Sequence, residues 1–229
     1  MLKSLLTSLR SSRAPRSQTT KLHLDHLEDR RVMSATVGPI EAPTISAVVW
    51  GDGSRQRSQV TDITVQFSKQ VRLSNPSALP IEKAVSLHKR GAAGDVTLVI
   101  DASVPQDGFQ TLTLHFTGKY AEKSNSVVDG LYDLAIDGSA ISDGTVQLDG
   151  ARNGIPGSTY FVKGTTANGF FRLFGDATGD GTTDQADYLM YRDAIAAAPS
   201  SSAIFDFDAN KQMDQEDYLQ FRNRLGGAP

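Results

Sequence analysis

The side chains of this chain best suited to chemistry are carboxylates, and they recur in register. The segments GDATGDGTTDQADYLMYRD (residues 175–193) and FDFDANKQMDQEDYLQFRN (residues 205–223) align at an offset of 30. Asp176 pairs with Asp206, Asp184 with Asp214, Gln185 with Gln215, Asp187 with Asp217, Tyr188-Leu189 with Tyr218-Leu219, Tyr191 with Phe221 and Arg192 with Arg222. That many aligned identities mark two copies of one structural unit. In each copy, oxygen-bearing residues fall at positions 1, 3, 5, 7, 9 and 12 of a twelve-residue stretch, the spacing with which a loop wraps a calcium ion. In copy one these are Asp176, Thr178, Asp180, the carbonyl of Thr182, Asp184 acting through water, and Asp187, with Gly181 at the sharp turn of position 6. In copy two they are Asp206, Asp208, Asn210, the carbonyl of Gln212, Asp214 and Asp217. Four carboxylates in each loop repel one another unless a cation sits among them. The donors are all hard oxygens, which favours Ca2+ over zinc or copper. Two bound Ca2+ ions are therefore expected.

Three departures from the ideal loop predict unequal affinities. Lys211 stands where copy one has Gly181, so a residue with a Cβ must enter a turn that glycine prefers, at about 1 kcal/mol. Thr178 is a weaker donor than the carboxylate Asp208 beside it in the alignment. Position 12 is Asp in both copies, one methylene shorter than the usual bidentate Glu.

The elements that must hold these loops are asymmetric about them. GFFRLF (residues 169–174) ahead of loop one reads as a strand, and Pro199-Ser200-Ser201-Ser202 ahead of loop two is a breaker. After each loop a helix is expected: Asp184 and Asp214 are good N-caps, and Asp187 and Asp217 place acid in the first turn. Tyr188, Tyr191 and Ile195 match Tyr218, Phe221 and Leu225 as an apolar stripe, and Gly226-Gly227 ends the second helix. Each unit is thus a loop followed by one helix, without the entering helix of an EF-hand. That layout, over about 50 residues, resembles a type I dockerin module. The resemblance implies a small helical domain with two calcium loops, docked by a cohesin-like or other cell-surface protein. In that family loop positions 10 and 11 often touch the partner and are commonly small hydroxyl residues. Here they are Gln185-Ala186 and Gln215-Glu216. The alternative is a calcium-stapled pair of helices that caps the end of the chain.

Upstream the dominant period is two. TISAVVW (residues 44–50), DITVQF (62–67), residues 84–88, 96–100, QTLTLHF (110–116), YDLAI (132–136), 160–162 and 170–174 read as about eight short strands separated by Gly, Asp, Asn and Pro turns. The stretches between them carry no sustained helical pattern. The expected fold is mainly β, an antiparallel sandwich, followed by the small α-helical domain. VTDITVQFSKQV (residues 60–71) and GLYDLAIDGSAISDG (130–144) resemble bacterial Ig-like surface modules, which implies an Ig-like sandwich over residues 40–172. His88 and His115 read as ordinary strand residues, and Asp129, Asp133, Asp137, Asp143 and Asp149 as solvated turn acids, the alternative being that some of them hold a calcium between loops.

Composition limits the function classes. The chain has 229 residues, 39% hydrophobic, no cysteine and a net charge of −3. Cysteine-ligated metals, disulfides and a thiol nucleophile are excluded. Charge is uneven: residues 1–33 carry 7 basic against 3 acidic side chains, and residues 173–229 carry 4 against 10. The acidic tail opposes nucleic-acid binding, and no apolar run is long enough for a membrane span. No nucleophile elbow or Gly-rich phosphate loop is present, so no enzyme is expected. LDHLEDRRVMSA (residues 24–35) resembles a segment near the start of exported planctomycete surface proteins. It implies an export or surface-targeting leader over residues 1–39, with residues 173–229 as the calcium domain. The reading is a non-enzymatic secreted or cell-surface protein that binds two Ca2+ and docks a protein partner. The alternative is an accessory or binding component of an extracellular polysaccharide-degrading system.

Overall fold

Alternation of apolar and polar side chains in residues 62–67 and 110–116 puts Ile63, Val65 and Phe67 on one face of a strand and Leu112, Leu114 and Phe116 on one face of its neighbour, and all six are buried. The computed structural model describes residues 41–74, 81–100, 108–197 and 203–229. The expected leader and the breaker at Pro199-Ser200-Ser201-Ser202 lie outside the described residues. The fold is mainly β, with antiparallel sheets and short helices.

One sheet runs β1 (Ile45–Trp50), β2 (Asp62–Leu73), β5 (Phe109–Thr117), β4 (Thr97–Ile100), with β7 (Ile141–Ser142) paired to the end of β2. The other runs β3 (Val85–Lys89), β6 (Gly130–Ile136), β8 (Tyr160–Val162), with β9 (Phe171–Arg172) paired to the start of β6. A one-turn helix, α1 (Ile81–Ala84), leads into β3. The inner faces of both sheets contribute to one apolar cluster that includes Ile63, Leu112, Leu114, Leu87, Tyr132 and Leu134. Trp50 sits in it with ring centroids 5.6 Å from Tyr132 and 5.3 Å from Phe170. β7 was not expected, because two residues are too few to show a period. β2 runs past Phe67, and its register against β5 shifts between Gln66 and Val71, so the polar Ser68-Lys69-Gln70 stretch belongs to the strand.

Most aspartates of the turns act as local caps. Asp137 accepts from Ser139 N and Oγ, Asp143 from Thr145 N, Val146 N and Lys69 Nζ, and Asp149 from Asn153 N, Gly154 N and Ser158 Oγ. Asp149 is nonetheless buried rather than solvated, and Asp129 departs further from the solvated acid expected at its position. Arg172 is fully buried in β9, and its guanidinium donates to Glu122 at 2.7 and 2.8 Å and to Asp129 at 2.6 Å. Asp129 also accepts from Phe174 N at 2.7 Å and from Arg224 Nε at 2.5 Å. A buried guanidinium needs such partners to offset lost hydration, which is why two acids from one loop meet on it. Burial works against ionisation of Asp129, but Arg172 and Arg224 together hold its carboxyl below the ordinary range. Glu122 lies above its ordinary range, because burial outweighs the attraction of Arg172.

Asp129→Asn keeps the shape and removes the charge between two arginines. It is expected to cost about 3 kcal/mol in urea unfolding at neutral pH, the scale of removing one partner from a buried pair. Because the folded carboxyl is depressed, its contribution is present above the unfolded value of about 3.9 and fades as pH falls through the lower folded value. The parent's stability should therefore drop more steeply than the variant's in acid below about pH 4.

Candidate metal centre

Both acidic stretches form tight loops that end on helices, α2 (Gln185–Ala197) and α3 (Gln215–Arg224). A 3-10 turn at Ala203–Phe205 precedes loop two, and β9 precedes loop one. The base of the module is an apolar cluster of Phe174, Ala177, Tyr191, Phe205 and Phe221. Tyr191 and Phe221, the repeat-related pair, stack with centroids 4.9 Å apart. The rest of the expected stripe is not buried: Tyr188 and Tyr218 are 42% exposed, Ile195 51% and Leu225 52%. Two short helices on so small a cluster each turn one aromatic inward and leave the flanking positions outside.

The two loops are built alike. In loop one, fully buried Asp176 accepts from Gly179 N at 2.6 Å, Asp180 N at 3.2 Å and Gly181 N at 2.9 Å. In loop two, Asp206 accepts from Asn210 N at 3.1 Å and Lys211 N at 2.8 Å. At position 12, buried Asp187 accepts from Ala177 N, Thr178 N and Asp184 N, each at 2.9 Å. Its counterpart Asp217 accepts from Phe207 N at 2.7 Å and Asp214 N at 2.9 Å. The last acid therefore ties the start of the loop to the start of the helix. Asp184 and Asp214 cap those helices, accepting from Ala186 N at 2.7 Å and Glu216 N at 2.8 Å. Asp214 and Asp217 complete a reciprocal capping box.

The other expected ligands separate by loop. Asp208 lies with Asp206 and Asp217 so that one carboxylate oxygen from each falls within 4.8 Å of the others. Among the described residues this is the acid trio so arranged. In loop one Thr178 takes the third position, its hydroxyl 3.4 Å from Asp176 Oδ1. Asp180 accepts from Thr182 N and Oγ1 at 2.9 and 2.8 Å. Asn210 Oδ1 accepts from Gln212 N at 2.7 Å, and Asn210 Nδ2 donates to Asp214 at 3.0 Å. Burial, opposed by backbone hydrogen bonds, raises the Asp176 carboxyl, and the charges of Asp187 and Asp180 push the same way. Asp217 is raised for the same reasons, by burial first and by the charges of Asp214 and Asp206. Asp180 is lowered by its hydrogen bonds from Thr182. Burial and the negative charges of Asp217 and Asp214 push the Tyr191 phenol up to about 12. The donor set is hard oxygen, the kind a divalent ion such as calcium takes, with Asp176 and Asp217 raised chiefly by burial and Asp180 and Asp214 lowered by their hydrogen bonds.

Backbone conformation separates the loops too. Gly181 has φ 91° and Gly179 φ 72°; their counterparts Lys211 and Ala209 have φ 66° and 61°. Lys211 was anticipated in this conformation and Ala209 was not. In loop one the glycines also admit the β body: a Cβ on Gly179 would stand 1.7 Å from the carbonyl oxygen of Arg55. Sequence reasoning passed over Arg57, Ser58 and Gln59, which contact the backbone around both loops. The only signal there is a polar RSQ run between two strands.

No protein-family profile matches the chain, and no curated protein matches it. Among solved structures, the chain is similar to domains 1–6 of the surface layer protein SbsC, at 19% identity and a TM-score of 0.30. The match covers 56% of this chain and 14% of that one. Among the described residues no helix is long and apolar enough to cross a membrane.

Lys211→Gly and Ala209→Gly should each stabilise the chelator-treated protein by about 0.5–1 kcal/mol in urea unfolding, since relief of left-handed strain exceeds the added freedom of the unfolded chain. Gly179→Ala should be strongly destabilising in the same assay, because the Arg55 backbone must move.

Proposed function

We propose that this chain is a non-enzymatic secreted or cell-surface protein whose C-terminal duplicated loop–helix module binds two Ca2+ ions. The observation that supports it most is the convergence of Asp206, Asp208 and Asp217 at positions 1, 3 and 12 of a loop that the sequence repeats. Oxygens bound to one calcium at about 2.4 Å stand no farther apart than about 4.8 Å, and the trio meets that limit. In loop one the ion would be held by Asp176, Thr178, Asp180, the Thr182 carbonyl, Asp184 and Asp187. In loop two it would be held by Asp206, Asp208, Asn210, the Gln212 carbonyl, Asp214 and Asp217.

The shortened acid at position 12 and the strained Lys211 turn favour modest affinity, suited to the high calcium found outside cells. The β body serves as an Ig-like spacer or adhesion module. Tyr188, Leu189, Met190 and Tyr218, exposed on α2 and α3, offer a cohesin-like or other surface protein apolar side chains to pack against.

Calcium titration of the full chain by calorimetry should give two binding events. Asp176→Ala and Asp206→Ala should each remove one of them. An unmutated protein that gives no heat with calcium, and whose circular dichroism is the same in calcium and in excess chelator, would overturn this reading.

A further inference from the structure

We infer that the connection between β1 and β2 is a working part of the calcium module: Arg57, Ser58 and Gln59 position both loops and carry their occupancy into the β body. This inference rests on the calcium reading above and goes beyond it. Arg57 N donates to the carbonyl of Asp176, the first residue of loop one, at 2.7 Å. Gln59 Nε2 donates to the carbonyl of Asp206, the first residue of loop two. Between them Ser58 is fully buried. Its hydroxyl accepts from Gly175 N at 2.9 Å and donates to Ile204 O at 2.5 Å, so one oxygen joins the approaches to both loops. The backbone on either side is fixed as well: Leu173 N donates to Arg57 O at 3.0 Å, and Arg172 Nε to Ser58 O at 3.0 Å.

No free linker separates the module from the body. β9 pairs with β6 through Gly130–Arg172 and Leu131–Phe171, and only Leu173, Phe174 and Gly175 lie between β9 and Asp176. Any shift in a loop's first residue on metal release must therefore break hydrogen bonds to residues 57–59 or move that segment with it. The Arg57 guanidinium lies 5.9 Å from the centroid of the Phe171 ring, and Trp50, the single tryptophan of the chain, ends β1 and donates from Nε1 to the carbonyl of the same Phe171 at 2.8 Å. Trp50 thus reports on the body at the place where β9 enters the module. Such coupling is linkage in its simplest form: an ion that binds the folded module stabilises whatever unfolds with it.

The test uses the full chain, with thermal unfolding followed by Trp50 fluorescence in calcium and in excess chelator, and calcium calorimetry alongside. The parent should show a higher Trp50 midpoint in calcium than in chelator. Ser58→Ala should bind calcium more weakly in calorimetry and lose about half or more of that calcium-dependent shift. Gln59→Ala, at a half-buried site, should reduce the shift without loss of folding and stands in if Ser58→Ala does not fold. Leu112→Ala, a change in the body core, should lower the midpoint equally in both conditions and leave the shift intact; a purely structural role for Ser58 would give that same pattern. Calcium heat with an unchanged Trp50 midpoint, or a Gln59→Ala shift as large as the parent's, overturns this inference alone. Absence of calcium heat overturns the metal reading and this inference with it.

Discussion

The C-terminal module depends on carboxylates removed from water and held by main-chain N–H groups. Asp176, Asp187 and Asp217 are fully buried, a position that acids seldom occupy without compensation. Asp187 gathers N–H donors from both ends of its loop, so the loop closes around one charged group. A charged acceptor forms stronger hydrogen bonds than a neutral one, and that is what gives the segment a shape despite its short length and small core. The same arrangement concentrates negative charge, with Asp176 and Asp217 both raised toward protonation. Burial is the larger cause of that rise and the neighbouring acids the smaller, so each loop is ordered by anions that the fold itself holds at a cost.

Duplication supplied the same frame twice, and the surroundings made the copies unequal. Loop one is seated against the body, with Gly179 under the Arg55 carbonyl and Gly181 beside Thr166. Its glycines accept left-handed backbone without a Cβ penalty. Loop two leaves Ala209, Asn210, Lys211 and Gln212 exposed and places two of them in left-handed conformations. Against that, loop two has Asp208 where loop one has Thr178, and it brings three carboxylates together. Preorganisation therefore favours the first loop and charge the second. These terms oppose each other, which is why position-by-position comparison with an ideal loop does not rank them.

Local patterns were legible in the sequence, and long-range partnerships were not. Alternation located β2, β5 and β6 because each has one face in the core, and the 30-residue repeat located both loops and both helices. β7 escaped because it has two residues, and Ala209 because alanine gives no hint of a left-handed turn. Of the expected helical stripe only Tyr191 and Phe221, one position in three, are buried: periodicity identifies a face, but how much of it is covered depends on the size of what packs there. Ser58 could not have been singled out, since its role comes from Gly175 and Ile204, 117 and 146 residues away. Arg172 did leave a trace. An arginine inside FFRLF is a charge amid residues that must be buried, and such a charge demands a partner of opposite sign. The sequence pattern could state the demand without identifying Glu122 and Asp129 as the acids that meet it.

Those two acids also explain how the module is oriented. Apolar contact between a helix pair and a sheet edge is nondirectional and tolerates sliding. Asp129 removes that freedom, because one carboxylate receives Arg172 from β9, Arg224 from the last turn of α3 and the backbone N–H of Phe174. Arg224 in turn lies over the rings of Phe174 and Phe207, 5.5 and 5.2 Å from their centroids. Strand, helix and loop approach are thereby referred to a single point. Buried ion pairs are a poor source of net stability, since desolvation offsets much of their attraction. Their directional demands are a better source of fixed geometry, and here that geometry sets the first residue of each acidic loop against residues 57–59 of the body.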